Sequence, residues 1–156
     1  MTTDDILEAW RANDAQNHAL LALCEDGDFD LKPGKGKTIR SNFVHIVGVR
    51  KSWSQDKLKK ESASIPKLDW KTATREEIVE GLEISNDVML MLLEQADDSK
   101  RRAWTPAMFF AYAVAHEAHH RSQVEIALRI NGREPDDLTL YGLWEWPKVL
   151  RERDSG

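Results

Sequence analysis

The sequence predicts an all-α protein, an antiparallel four-helix bundle completed by a short C-terminal helix. Four long segments space their apolar residues three or four positions apart, which is the helical period. Stretches containing glycine and proline separate these segments, and no stretch has convincing strand character. The length of 156 residues is that of one domain, so residues 1–156 are predicted to fold around a single core.

The first two predicted helices lie on either side of a glycine-containing loop. The first covers residues 3–24, and a threonine at position 2 or 3 supplies its N-cap before two aspartates. Residues 25–37 hold three glycines and one proline and are predicted to form the loop. The second helix covers residues 38–59. Residues 44–47 would also suit a short strand, but their neighbours give no turn signal, so the longer helix is preferred.

The third and fourth helices have clearer end signals. Thr74 and Glu77 form a capping box, which opens a third helix that reaches about residue 96. Thr105 and Pro106 supply the N-cap and the first helical position of the fourth helix. Gly132 is the stop signal of that helix, which gives it a length of about 26 residues.

Two further stretches complete the predicted chain. Residues 62–71, which include a proline, form a second loop. Residues 134–156 contain enough apolar side chains for one short helix. Trp144 and Trp146 are predicted to pack this helix on the bundle rather than to line a substrate site.

Charge and composition exclude several partners. With 22 basic and 27 acidic residues the net charge is −5, so the chain lacks the basic field that nucleic-acid binding needs. The acidic N-terminus has no signal-peptide pattern, and no apolar stretch approaches the length of a membrane span. The single cysteine, Cys24, cannot form an internal disulfide, which fits a reducing compartment. We therefore expect a cytoplasmic protein that binds neither nucleic acid nor membranes.

Histidines carry the strongest chemical signal. His116 and His120 are four residues apart on the fourth helix, so their side chains stack on one face. That face is the apolar stripe that a bundle buries, whereas His119 lies toward its edge. Two imidazoles at this spacing can direct their lone pairs at one ion about 2 Å away. His45, on the apolar run of the second helix, could complete a three-histidine metal site. The alternative is that these are ordinary polar residues whose hydrogen bonds are satisfied within the fold.

The fourth helix also contains H-E-x-x-H, the zinc metalloprotease signature, at residues 116–120. In that motif Glu117 would be the general base. The extended signature fails, because Gln123 and Ile126 stand where a glycine and a third histidine are required. A zincin also needs strands to hold an extended peptide, and none is predicted. A zincin-type metalloprotease is therefore the third choice of function.

The sequence resembles the DinB/YfiT-like family of metalloenzymes over nearly its whole length. The order and spacing of four motifs carry the resemblance: Asn42-Phe-Val-His45-Ile46, His116-x-x-x-His120-Arg-Ser-Gln123, Leu128-Arg-Ile-Asn-Gly132 and Tyr141-Gly-Leu-Trp-Glu-Trp146. Ser122 replaces a glycine that is common in the family, a change between two small residues that leaves the histidines untouched.

The resemblance implies a four-helix bundle that holds a divalent metal ion, nickel or zinc, on His45, His116 and His120. It also implies a homodimer and a small-molecule substrate. Related proteins include S-transferases that use bacillithiol, mycothiol or glutathione, and mycothiol-dependent maleylpyruvate isomerases. We therefore expect a metal-dependent thiol S-transferase or hydrolase, with a low-molecular-weight thiol as the co-substrate of the transferase. The alternative is a stress-associated, non-catalytic bundle that binds a metal or a partner.

Three neutral imidazoles would leave the ion its full charge, so that it could acidify a bound water or thiol. A catalytic residue is harder to assign from the sequence. Glu117 is a weak candidate, because it points about 100° away from His116 and is expected at the surface or behind the ligands. Asn42 and Gln123, each three residues from a ligand, could hydrogen-bond the imidazoles or a bound water. Arg121 is expected to form an ordinary salt bridge.

Overall fold

The computed structural model describes residues 1–95 and 104–156, and within them the chain is all-helical, as predicted, with no strand. The helices are α1 (Thr3–Leu23), α2 (Ile39–Ser54), α3 (Lys59–Ala63), α4 (Arg75–Glu94), α5 (Pro106–Ile130), α6 (Asp137–Gly142) and α7 (Trp146–Ser155). A short 3-10 turn, Asp26–Asp28, follows α1.

The capping residues place the helix starts where the sequence predicts them. The side chains of Thr2, Thr74 and Thr105 each accept a hydrogen bond from the backbone amide three residues on. At the other end of α5, Gly132 adopts a φ of 72°, the left-handed conformation that glycine tolerates best. The predicted end of the third helix at Ala96 lies outside the described residues.

The prediction that the second helix continues to residue 59 is wrong. The helix ends at Ser54, whose hydroxyl donates back to the carbonyls of Arg50 and Lys51 at 3.0 Å each. This back-bonding favours bending or ending of a helix. Leu58 then turns into the core, and α3 begins directly after it, so that part of the predicted second loop is helical.

The C-terminal prediction is wrong in two respects. Two short helices form instead of one, because Asp136 caps α6 and Pro147 lies in the first turn of α7. Trp144 lies between them and is 79% exposed, so it does not pack on the core as predicted. Trp146 is half-buried.

The four long helices share one apolar core. α1 runs antiparallel to α4: Arg75, at the start of α4, donates to the carbonyl of Leu21 (3.0 Å), and Trp10 Nε1 donates to Asn86 Oδ1 (3.0 Å). α2 contacts both α4 and α5. None of the helices in residues 1–95 and 104–156 is both long and apolar enough to cross a membrane.

Candidate metal centre

Three imidazoles meet where α2 crosses α5. Each of His45, His116 and His120 offers a ring nitrogen, and these three atoms lie within 4.8 Å of one another. The ring centroids are 4.5 Å apart for His45 and His120, 4.7 Å for His116 and His120, and 5.4 Å for His45 and His116. The structure thus brings together all three residues that the sequence proposes as ligands.

Helix geometry explains how this cluster forms. On α5 the spacing of four residues stacks His116 and His120 on the same face. α2 runs antiparallel to α5, because its start contacts the middle of α5 while Trp53, near its end, contacts Phe109 at a centroid distance of 5.6 Å. His45 lies between these two contacts and therefore faces both α5 histidines.

The environment keeps the three rings neutral. Burial is the main cause that lowers the pKa of His45, His116 and His120. For His120 the neighbouring imidazoles and the Lys37 ammonium add to burial, because each would repel an added proton, and together these causes lower its pKa to about 3. Neutral imidazoles keep the lone pairs that a metal ion requires.

Asn42 fixes the orientation of one ring. Its Oδ1 lies 2.8 Å from His120 Nδ1, while its Nδ2 donates to the carbonyls of Thr38 (2.9 Å) and Lys37 (3.3 Å). Because the amide donors are already used on carbonyls, the oxygen of Asn42 must accept the hydrogen bond from Nδ1. Nε2 of His120 is then the nitrogen with the free lone pair, which is the usual arrangement behind a metal-ligating histidine.

His116 provides an independent test of whether the site suits a metal. Its Nδ1 is buried and has no hydrogen-bond partner among the described residues. Leaving a buried polar atom without a partner costs free energy, so native proteins rarely do it. An ion bound by the cluster would draw on such unused imidazole nitrogens. The residues present therefore fit a divalent metal ion with imidazole ligands.

Glu117 does not lie with the histidines. It is 0% exposed, and its side chain points about 100° around α5 from His116, outside the three-histidine set. Its Oε1 accepts from Arg50 Nε (2.6 Å), and its Oε2 accepts from Arg50 Nη2 (2.9 Å), Asn13 (2.7 Å) and Asn17 (2.9 Å). The expectation that it lies at the surface is wrong, and among the described residues its hydrogen bonds come from Arg50, Asn13 and Asn17 rather than from the histidines. A carboxylate held in this way is poorly suited to be the general base that the zincin motif requires.

The buried network around Glu117 extends to other charged groups. Arg50 Nη2 lies 2.9 Å from Asp14 Oδ1. Burial alone would raise the pKa of Asp14, but Arg50 and His18 outweigh that effect and lower it. Arg121 donates to Asn13 Oδ1 (2.9 Å) and Asn17 Oδ1 (2.8 Å). The predicted salt bridge of Arg121 is therefore replaced by hydrogen bonds to amides.

The other histidine and amide candidates are not part of the three-histidine set, although the His119 ring lies 5.1 Å from that of His120. Gln123 is half-buried and makes no side-chain hydrogen bond within the part of the chain that the structure describes, in contrast to Asn42. His119 is exposed at the edge of α5, as expected. His18 lies on α1, 3.4 Å from Asp14 Oδ2.

Sequence reasoning missed the aromatic side chains next to the cluster. The Trp53 ring lies 5.3 Å from the His116 ring, and Tyr112 lies 6.4 Å from it in a stacked orientation. The available signal was spacing, because Tyr112 is one helical turn before His116. Trp53 could not be placed in this way, since only the packing of α2 on α5 brings it there.

An all-helical protein in which two helices bring three imidazoles together fits a metal-binding protein. The chain matches the DinB family over residues 1–152 and belongs to that family. No curated protein and no solved structure matches the chain.

Proposed function

We propose that the protein is a metal-dependent enzyme that acts on a small molecule, as a thiol S-transferase or a hydrolase. Its divalent ion is held by His45, His116 and His120. The observation that carries this proposal is the convergence of three ring nitrogens, from two helices, within 4.8 Å of one another. Nickel and zinc both suit a set of imidazole ligands. Membership of the DinB family is consistent with such a site.

When bound, an ion with three neutral ligands would supply Lewis acidity, lowering the pKa of a water or thiol and polarising an electrophile. The residues of the chain prepare the site for that chemistry. Burial keeps the imidazoles unprotonated, and Asn42 holds the His120 ring in one tautomer. Lys37, which acts electrostatically on His45 and His120, adds positive charge that favours an anionic substrate.

A transferase would need a thiol from outside the chain. The one cysteine, Cys24, is buried, and burial raises its pKa to about 12, so it is a poor nucleophile. Glutathione, bacillithiol and mycothiol are the co-substrates to test. A hydrolase would use water in place of the thiol.

A non-catalytic function is the second candidate, and the position of Glu117 favours it. The carboxylate next to His116 in sequence is fully engaged with Arg50, Asn13 and Asn17, which leaves the general base unidentified. In this alternative the protein is a stress-associated bundle that binds a metal or a partner. The same position of Glu117 makes the zincin mechanism the weakest choice.

The arrangement of the four long helices as an antiparallel four-helix bundle is part of the proposal. It is supported by the opposite directions of α1 and α4 and of α2 and α5. A homodimer in the cytoplasm is likewise proposed. Sedimentation of the purified protein tests the dimer.

Elemental analysis of the purified protein tests the metal site. We expect near-stoichiometric nickel or zinc in the parent and loss of the metal in His45→Ala and His120→Ala. The matched control is His119→Ala, because His119 neighbours His120 on the same helix but is exposed and outside the cluster. Equal metal content in all four proteins would contradict the proposed ligand set.

Activity is tested after metal removal and reconstitution. The parent should conjugate glutathione or bacillithiol to an electrophile, or hydrolyse an ester, only when the metal is present. Turnover by the metal-free protein would contradict metal-dependent catalysis. A metal-loaded protein that is inactive on a broad panel, and that binds a specific partner, would favour the non-catalytic alternative.

A further inference from the structure

Aromatic side chains form a continuous surface beside the histidine cluster. We call Trp53, Trp104, Phe109 and Tyr112 the aromatic shelf. The Trp53 ring lies 5.6 Å from Phe109 and 5.8 Å from Tyr112, and the Tyr112 ring lies 5.2 Å from Trp104. All three pairs have the edge-to-face geometry that aromatic rings prefer.

The outer part of the shelf is open to solvent. Trp104 is 54% exposed and Tyr112 is 46% exposed, and the neighbouring Met108 is 52% exposed. Met108 and Tyr112 are one turn apart on α5, so they present the same face of the helix. A contiguous exposed group of large apolar side chains is typical of a binding surface rather than of a surface that solvent alone covers.

The inner part of the shelf reaches the cluster. Tyr112 is stacked on His116 at an interplanar angle of 23°, and Trp53 meets His116 at 72°. A flat ligand on the shelf would therefore lie next to one of the proposed metal ligands. This position separates the shelf from the other exposed aromatic residues, Trp70, Tyr141 and Trp144, which make no ring contact with the cluster within the described residues.

The charge next to the shelf favours an anionic group. The imidazoles are neutral, Lys37 is positive, and a bound divalent ion would add two positive charges. Glu117, the nearest carboxylate in sequence, is paired with the buried Arg50, which offsets its charge. A carboxylate or thiolate on the ligand would thus be attracted electrostatically to the cluster.

We propose that the aromatic shelf binds a planar aromatic ring system and that an anionic group on the same molecule faces the three-histidine cluster. The substrate class is an aromatic compound bearing a carboxylate or a comparable anion. The anionic half of this proposal rests on the proposed function, whereas the aromatic half rests on the shelf alone.

The test compares 2-naphthoate with its saturated counterpart decahydro-2-naphthoate, which has the same charge and a similar size. Dissociation constants are measured by calorimetry for metal-free and zinc-loaded protein. We expect the parent to prefer the aromatic probe about five-fold in both forms, since aromatic contacts contribute beyond the burial of area. Zinc should tighten the binding of both probes by a similar factor.

Variants assign the preference to the shelf. Trp104→Leu and Tyr112→Leu should bind both probes equally, while Trp70→Leu should keep the preference. Trp70 is the matched control, because it is a tryptophan of similar exposure (55%) away from the cluster. Circular dichroism verifies that each variant is folded.

The outcomes separate this proposal from the proposed function. A shelf-dependent preference for the aromatic probe, with affinities for both probes that zinc leaves unchanged, supports the aromatic half and overturns the anionic half, which rests on the proposed metal site. Zinc-dependent binding without an aromatic preference overturns the shelf and leaves the metal site standing. The proposed role of the aromatic shelf is also overturned if neither probe binds, or if the protein is a dimer in which Trp104 is buried.

Discussion

Two faces of α5 differ in whether their buried polar side chains have hydrogen-bond partners. On one side Glu117 is fully buried and accepts hydrogen bonds from Arg50, Asn13 and Asn17. On the other side His116 keeps a buried Nδ1 without a partner among the described residues, and His120 has only one ring nitrogen engaged. Adjacent residues in the sequence thus differ: both carboxylate oxygens of Glu117 accept hydrogen bonds, whereas a buried ring nitrogen of His116 has no partner among the described residues.

This difference separates a structural site from a candidate functional site. Arg50 lies between the carboxylates of Asp14 and Glu117, so the network stabilises the packing of α2 on α5 and leaves little capacity for a ligand. The histidines lie on the same two helices but keep lone pairs that nothing in the described chain uses. Substitutions can disrupt the Glu117 network or the histidine cluster while leaving the other intact.

The largest effect is expected from Arg50→Met. Removing this guanidinium leaves Glu117 and Asp14 buried without their cation, which should lower the free energy of unfolding by about 3–5 kcal/mol. Urea denaturation measures the change. The control is Arg129→Met, which breaks an ion pair with Glu134 on an arginine that is 63% exposed and should change stability little. Similar stability of the two variants would contradict a structural role of the network.

The second effect is the stabilisation that a metal ion provides. At a free zinc concentration 100 times the dissociation constant, binding to the folded state should raise the free energy of unfolding by about 2.7 kcal/mol. The gain should disappear in His120→Ala and persist in His119→Ala. Thermal unfolding with and without zinc measures this stabilisation. An equal gain in both variants would contradict zinc binding by the histidine cluster.

The third effect is the change in metal affinity when the hydrogen bond that orients His120 is removed. Asn42→Leu removes the acceptor that fixes His120 Nδ1, so metal affinity should fall about 10- to 100-fold. Competition with a chromophoric chelator measures the affinity. Gln123→Leu is the matched control, because Gln123 is half-buried near His120 without bonding it. Unchanged affinity in Asn42→Leu would show that Asn42 does not orient the ring.

The fourth effect is the pH dependence of the metal-free protein. The pKa of His120 is lowered from 6.5 to about 3 by burial and neighbouring charges, so the unfolded chain takes up a proton at a higher pH than the folded one. Folding stability should therefore fall as the pH decreases from about 6.5, and fall less in His120→Gln. Urea denaturation of both proteins from about pH 7 to about pH 4 gives the comparison. Parallel curves would contradict the lowered pKa.

The parts of the fold that the sequence predicts best depend on local chemistry. Thr2, Thr74 and Thr105 cap their helices through amides three residues on, and Gly132 ends α5 with its own backbone conformation. The end of α2 depends instead on Leu58 turning into the core, which helical periodicity does not reveal. Helical periodicity therefore predicts a second helix that is longer than α2, which ends at Ser54.

The candidate site also has features that depend on local sequence and features that depend on the packing of distant segments. The spacing of His116 and His120 is a property of one helix and can be predicted. That His45 meets them depends on how α2 packs on α5, so its place on an apolar run and the family resemblance could only suggest it. The partners of Glu117 are 67 to 104 residues away in the chain, so the sequence does not indicate that it is buried. The aromatic contacts of Trp53 are equally non-local, since α2 must first pack on α5.

Anomalous diffraction from crystals grown with zinc tests the central claim most directly. Data collected on both sides of the zinc absorption edge locate the ion without reference to activity. The account predicts one anomalous peak at about 2 Å from a ring nitrogen of each of His45, His116 and His120. A peak bound elsewhere, or a His45 ring turned away from the other two around a bound ion, would contradict it.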